Sequence, residues 1–182
     1  MKQPAVFVDR DGVLCEDRAD YVRSAAEWVW IPGAVEGLAA LARAGRRIVV
    51  ISNQAGVGKG LVTPAALDGI HSLMKAGLAE AGVRLAGVYV CPHTDEMACD
   101  CRKPKPGLLL AAARELDIDL AASTFVGDTL RDREAAAAAG TGRFILVLTG
   151  QGPRWLAEAQ RAGITLLTAP DLRAAAQMIL GE

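Results

Sequence analysis

The sequence predicts an α/β fold: a single Rossmann-like three-layer domain with a central parallel sheet and no separate cap domain. Short apolar runs rich in β-branched residues, at 5–8, 46–52, 85–90, 124–127 and 144–148, read as strands buried on both faces, as in a parallel sheet. Segments with apolar residues at helical spacing alternate with these runs, and strand, helix, strand in that order implies right-handed crossovers. Acids, small hydroxyls and glycines cluster just after the runs, at the carboxyl edge where open α/β sheets bind ligands. At 182 residues the chain has about the length of one domain, expected to span 1–182, and can bury roughly two thirds of its unfolded surface.

Composition narrows the class further. Hydrophobic residues make up 52% and aromatics only 4%, so the core is expected to consist of Ala, Val, Leu and Ile rather than rings. A formal net charge of -1 gives no global attraction to nucleic acid or an anionic membrane, so any anion site must be local. Nothing between Met1 and the first strand resembles a signal peptide, and no apolar run reaches membrane-spanning length. A cytoplasmic monomer acting on a small molecule, without nucleic-acid or membrane partners, is expected.

In chain order, the first strand stops at Asp9 and Asp11, two acids spaced i, i+2. Asp11-Gly12 is also a hairpin-turn signal, which would place an alternating strand after Gly12, beginning at Val13-Leu14-Cys15. Residues 15–31 read as a small flap, with Trp28 and Trp30 as core plugs or loop anchors. A helix of about three turns follows Pro32-Gly33. The second strand ends in Ser52-Asn53-Gln54-Ala55-Gly56-Val57-Gly58-Lys59-Gly60, a loop suited to an anion but matching neither the Walker nor the dinucleotide pattern. Thr63-Pro64 caps the next helix, whose apolar face includes His71, read as a core or boundary histidine.

The third strand runs into Cys91, His93, Cys99 and Cys101, three thiols and one imidazole within eleven positions. In a reducing compartment this is a full tetrahedral shell for a structural Zn²⁺, which would staple the loop at 91–101. Cys15 stands apart as an ordinary thiol. Arg102-Lys103-Pro104-Lys105-Pro106 follows directly, a proline-stiffened cationic segment with a metal-anchored start. The fourth strand ends in Gly127-Asp128-Thr129-Leu130-Arg131-Asp132, where Asp132 also suits the first turn of the next helix. A strand at 144–148, a helix at 155–162, a short strand at 164–167 and a helix at 172–180 complete the chain. Together the strand ends offer hard oxygen ligands for Mg²⁺ and cations for phosphate, the parts needed for phosphoryl transfer.

Asp9-Arg10-Asp11-Gly12-Val13, the strand ending in Ser52, Lys103, and Gly127-Asp128 with Asp132 resemble the ordered motifs of the haloacid dehalogenase-type phosphatases. Ser52-Asn53-Gln54-Ala55-Gly56 and Cys91-x-His93 with Cys99-x-Cys101-Arg102-Lys103-Pro104 are similar to the zinc-containing branch, whose members act on a heptose bisphosphate or on histidinol phosphate. The likeness runs from about residue 5 to the turn at 148–150. It implies Asp9 as nucleophile and as Mg²⁺ ligand with Asp128 and the backbone carbonyl of Asp11. It implies Asp11 as proton donor and then base, and Ser52 and Lys103 as holders of the transferring oxygens. Asp132 would orient the metal shell, and Asn53 and Arg102 would read the substrate. Mg²⁺ is then the catalytic cofactor and Zn²⁺ the structural one.

Substrate choice is expected to come from the loops at 15–22, 53–59 and 91–101. A sugar bisphosphate suits the second cation, Arg102, and the near absence of an apolar or acidic wall for a cationic amine. Val13 and Thr129 depart from the branch, which more often has Thr and Lys there. Histidinol phosphate is the alternative substrate. A zinc-stabilised phospho-ligand binding module without turnover is the alternative of another class, although a pure binder has no need of both Asp9 and Asp11.

Overall fold

The fold, a computed structural model, describes residues 2–181. Its six strands are β1 (Ala5–Val8), β2 (Arg47–Asn53), β3 (Gly87–Cys91), β4 (Thr124–Gly127), β5 (Arg143–Val147) and β6 (Thr168–Ala169). They form one sheet in the order β3-β2-β1-β4-β5-β6, parallel throughout. The helices are α1 (Ala34–Arg43), α2 (Ala55–Gly58), α3 (Pro64–Glu80), α4 (Gly107–Glu115), α5 (Leu130–Ala139), α6 (Gly152–Arg161) and α7 (Leu172–Leu180).

The period-two alternation of strand side chains divides the core in two. Val6, Val8, Ile48 and Val50 face one layer with Leu38, Leu41, Met74, Leu78, Leu172 and Ile179. Ala5, Phe7, Val49, Ile51 and Phe125 face the other with Leu108, Leu109, Ala112 and Ala135. Phe7 and the central β2 residues are fully buried, so each such side chain contributes roughly 1.5–3 kcal/mol of burial. The expected three-layer domain with no separate cap is what the described residues form.

Several elements differ in detail. No alternating strand follows Gly12. The Leu14 and Cys15 N–H groups both donate to the Arg10 carbonyl, closing a tight turn, and only single bridges link Cys15 to Asp11 and Trp30. The flap is thus laced to the site rather than paired as a hairpin, and Trp28 packs edge-to-face on Trp30, their centroids 4.9 Å apart. The last strand falls at Thr168–Ala169 instead of 164–167, because its pairing with β5 starts at Leu146↔Thr168. The loop after β2 contains the short helix α2, which its glycine content concealed.

Helix α3 starts as its sequence dictates, with the Thr63 hydroxyl accepting from the Ala66 N–H at 3.1 Å and Pro64 at the first position. His71 on this helix is partly buried, and its Nε2 has no partner among the described residues. Burial, with Arg10 and then Lys75 adding to it, pushes the imidazole down to about 4 from an ordinary 6.5. Between those pH values the unfolded chain binds a proton that the folded chain refuses, so His71 subtracts stability as pH falls from 6.5 to 4. The difference in Tm between a His71→Gln variant and the parent should therefore shift in the variant's favour over that range. A pH-independent difference would contradict this account of His71.

The chain leaves β1 toward β2 and β3, then returns to place β4 on the other side of β1. The carboxyl ends of β1 and β4 therefore flank the switch point of the sheet, where open α/β folds form a crevice. Asp9 follows β1 and Asp128 follows β4 there, with the Asp9 N–H donating to the Val126 carbonyl at 3.0 Å.

Candidate active site

A cleft of about 300 Å³ opens at this switch point, lined among others by Asp9, Asp11, Asn53, Arg102, Lys103, Asp128 and Asp132. Lys103 lies at its floor, 2% exposed, and its ammonium reaches Asp9 at 2.9 Å, Asp132 at 2.6 Å and the Ile51 carbonyl at 3.1 Å. Burial favours loss of its proton, but Asp132 and Asp9 outweigh burial and raise its affinity for the proton. Lys103 is thus a fixed cation. The exposed Lys105 turns away, to the Cys99 carbonyl at 2.8 Å.

Three acids share this floor. Asp9, Asp128 and Asp132 each bring a carboxylate oxygen within 4.8 Å of the others. Burial pushes Asp9 up to about 7, against the pull of Lys103 and with Asp132 and Asp11 adding to the rise. Asp128 is raised well above the usual carboxylate range by burial, then by Asp132 and Asp9. One lysine against three buried carboxylates leaves an excess of negative charge on hard oxygen donors, which fits Mg²⁺. Asp132 fills the capping role expected of it and also meets Lys103. One oxygen accepts from the Thr129 hydroxyl at 2.7 Å and backbone N–H at 3.1 Å in a capping box on α5, and the other pairs with Lys103.

Glycine makes the approach of these groups possible. Gly12 has φ +78, and a Cβ there would lie 2.0 Å from an Asp128 carboxylate oxygen. The turn after β5 closes the same corner, with the Thr149 hydroxyl donating to the Gly12 carbonyl at 2.6 Å and the Gln151 N–H to Asp128 at 2.8 Å.

Asp11 is not part of the carboxylate trio; its side chain turns toward Arg10 and Gln54. Ser52 is fully buried behind the cleft lining, and its hydroxyl accepts from the Gln54 amide at 2.8 Å. Asn53 exchanges hydrogen bonds with the Lys103 backbone, donating to its carbonyl at 3.0 Å and accepting from its N–H at 3.1 Å. It therefore ties the end of β2 to the cationic segment, which leaves one side-chain N–H for a ligand. Arg102 is at the rim, its Nε donating to Asp95 at 2.7 Å and its Nη1 to the His93 carbonyl at 3.3 Å. Asp17, Arg18, Tyr21 and Val22 bring the flap to the cleft, whereas of the loop after β2 only Asn53 and Gln54 reach it.

The Cys91, Cys99 and Cys101 sulfurs lie 3.1–3.5 Å apart, and His93 Nδ1 is 3.6 Å from Cys91 and 3.3 Å from Cys101. A tetrahedron with Zn–S bonds of ~2.3 Å has edges of roughly 3.8 Å, close to this spacing. Cys91, Cys99 and Cys101 are free of disulfides, so with His93 the donor set fits a zinc ion.

Sequence reading missed Arg10, Gln54, Asp95, Arg131 and Gln151 as parts of this neighbourhood. Arg10 left a visible signal, a charge between two acids at the end of an apolar strand. The others depend on tertiary contacts, such as Arg131 reaching Asp95 at 3.5 Å across the cleft rim.

Buried acids around a fixed lysine at the switch point of a parallel sheet define a phosphoryl-transfer domain of the α/β class. A family model described as "HAD-hyrolase-like" matches residues 100–175. The chain is 40% identical over 177 residues to the D-glycero-beta-D-manno-heptose-1,7-bisphosphate 7-phosphatase of Bordetella bronchiseptica, covering 97% of this chain and 98% of that protein. It is 37% identical over 180 residues to the enzyme of the same name from Pseudomonas aeruginosa, covering 99% of each. The crystal structure of the D,D-heptose 1,7-bisphosphate phosphatase from B. bronchiseptica, complexed with magnesium and phosphate, superposes with a TM-score of 0.93 at 38% identity. That match covers 98% of this chain and 99% of the other. The chain belongs to the haloacid dehalogenase-type phosphatases, and it is a phosphoric monoester hydrolase. Among the described residues no helix is long and apolar enough to cross a membrane.

Proposed function

We propose that the protein removes the 7-phosphate of D-glycero-D-manno-heptose 1,7-bisphosphate through an aspartyl-phosphate intermediate, supplying a precursor for nucleotide-activated heptose. The observation that carries this is the buried Asp9–Lys103–Asp132 network beside Asp128, in a chain collinear with the heptose bisphosphate phosphatases. The likeness to a structure with magnesium and phosphate supports Mg²⁺ at Asp9, Asp128 and the Asp11 carbonyl, with Asp132 holding the surrounding shell. When bound there, Mg²⁺ neutralises negative charge on the transferring phosphoryl group.

The chain's own groups supply the rest. An Asp9 oxygen attacks phosphorus as the bond to the sugar oxygen breaks, and Asp11 gives its proton to the departing alkoxide. Asp11, now a carboxylate, takes a proton from the water that attacks the phosphorus and frees Asp9. Lys103 and Ser52 hold the phosphoryl oxygens, the Ser52 hydroxyl being shared with Gln54. The free N–H of Asn53 and the guanidinium of Arg102 contact the sugar and its second phosphate. Cys91, His93, Cys99 and Cys101 hold a structural Zn²⁺ that fixes the loop at 91–101. Residues 1–182 form a single phosphatase domain, working as a cytoplasmic monomer.

Phosphate release across heptose 1,7-bisphosphate, histidinol phosphate and fructose 1,6-bisphosphate tests this function. The heptose bisphosphate should show the highest kcat/KM. Preference for histidinol phosphate would assign the other substrate of the branch, and no release from any of them with Mg²⁺ present would indicate a binding protein.

A further inference from the structure

Between the proposed nucleophile and the proposed acid stands Arg10, only 1% exposed and among the largest fully buried side chains. Its Nη2 donates to Asp11 Oδ1 at 2.8 Å and to Gln54 Oε1 at 2.9 Å, and its Nε lies 3.2 Å from the same Asp11 oxygen. Gln54, 2% exposed, closes the triangle by donating from Nε2 to Asp11 Oδ2 at 2.6 Å. Both oxygens of the Asp11 carboxylate are thereby held, each from a different element. The anchors are buried at the wall of the cleft, while the Asp11 side chain itself keeps 23% exposure.

We infer that Arg10 and Gln54 are positioning residues, a clamp that sets the Asp11 carboxyl group at the place where it hands its proton to the leaving oxygen. This rests on the proposed acid role of Asp11. The orientation of Gln54 is not free. A flipped amide would set its NH₂ against the Arg10 guanidinium and its oxygen against the Asp11 carboxylate, donor to donor and acceptor to acceptor. Arg10 therefore fixes Gln54, and the two together fix Asp11.

Ion-pair stability alone gives a poor account of this arrangement. A buried guanidinium is costly to desolvate, and such groups are often replaceable by apolar residues with no loss of stability. The guanidinium also lies over the Trp28 ring, 6.0 Å from its centroid, but Nη1 finds no hydrogen-bond partner among the described residues, so the side-chain hydrogen bonds that Arg10 makes go to Asp11 and Gln54. Without the clamp the Asp11 side chain can sample other staggered rotamers, which displace its oxygens by more than the reach of a hydrogen bond. A misplacement of about 1 Å at a reacting group is worth on the order of 100-fold in rate.

The test compares a leaving group that needs a proton with one that does not. kcat/KM covers steps only through departure of the leaving group, so it reports the acid role of Asp11 without its later role as base. For Arg10→Lys and Gln54→Leu, kcat/KM on heptose 1,7-bisphosphate should fall by about 10–100-fold. On 4-nitrophenyl phosphate, whose phenolate departs unprotonated, it should change by less than ~3-fold in Arg10→Lys, and in Gln54→Leu, which also loses the 2.8 Å bond to Ser52, it should fall less than on the bisphosphate. Asp11→Asn should show the same selective loss, only larger. Equal losses on both substrates in the clamp variants, or none on either, would overturn the clamp while a selective loss in Asp11→Asn left the catalytic assignment standing. An Asp11→Asn variant with no selectivity would remove the acid role and the inference with it. Arg10→Lys and Gln54→Leu perturb the core differently, so a folding defect in one leaves the other to decide.

Discussion

Replacing Asp9 by Asn should reduce kcat on every phosphomonoester by on the order of 10⁴-fold or more, the scale seen when a nucleophile is removed. The amide nitrogen and oxygen fill nearly the same volume as the carboxylate, so the change is chemical rather than steric. The side-chain oxygen can still accept from the Arg10 N–H, a contact made at 2.7 Å in the parent. What disappears is the charge proposed to attack phosphorus. Lys103 loses its 2.9 Å ion pair with Asp9 but keeps the one with Asp132 at 2.6 Å, so the buried cation stays paired in the variant. Steady-state kinetics, with a thermal melt of the same preparation to show that it is folded, checks this. Retained turnover would rule Asp9 out as nucleophile.

Loss of a proposed zinc ligand should have the second largest effect. In Cys101→Ser the content of zinc should fall from about one per chain to near zero, because a four-ligand shell of this type depends on each donor. Cys101 is followed directly by Arg102 and Lys103, and Arg102 is held by Asp95 and the His93 carbonyl within the same loop. Asn53 alone would then tie the Lys103 backbone to the sheet. The Tm should drop by about 5 °C or more, equivalent to roughly 2 kcal/mol for a chain of this length. kcat/KM should fall with it, by about 10–100-fold if misplacement of the phosphate-holding cation is of the order of 1 Å. Elemental analysis, melting and kinetics on one variant give three independent readings. Full activity in a zinc-free variant would show that the loop holds Lys103 without a metal.

The parts of the molecule that could be read from sequence are those governed by short-range pattern. Buried strands such as Thr124–Gly127 were legible because an apolar run ended abruptly at Gly127-Asp128, and α7 because its apolar face repeats at helical spacing. The acids, the lysine and the cysteine cluster were legible because their types and their position after strands both point to one sheet edge. Three-dimensional partnerships were not. Nothing in the spacing of Asp11 and Gln54 reveals that they meet across 43 positions, or that Asn53 exchanges two hydrogen bonds with the backbone of Lys103. The Asp11-Gly12 turn signal was real, but the second strand it implied was not, since Arg10 accepts the N–H groups that a hairpin would have used. The last strand was misplaced because only two of its residues pair with β5, too few for alternation to show.

The central claim, hydrolysis of the primary phosphate of a sugar bisphosphate, is tested most directly by ³¹P NMR of the products from heptose 1,7-bisphosphate with Mg²⁺. Inorganic phosphate should grow in as the primary-ester resonance disappears, leaving the anomeric phosphate intact as heptose 1-phosphate. Loss of the anomeric resonance first, or two intact resonances after prolonged incubation with active-site-competent protein, would contradict the account.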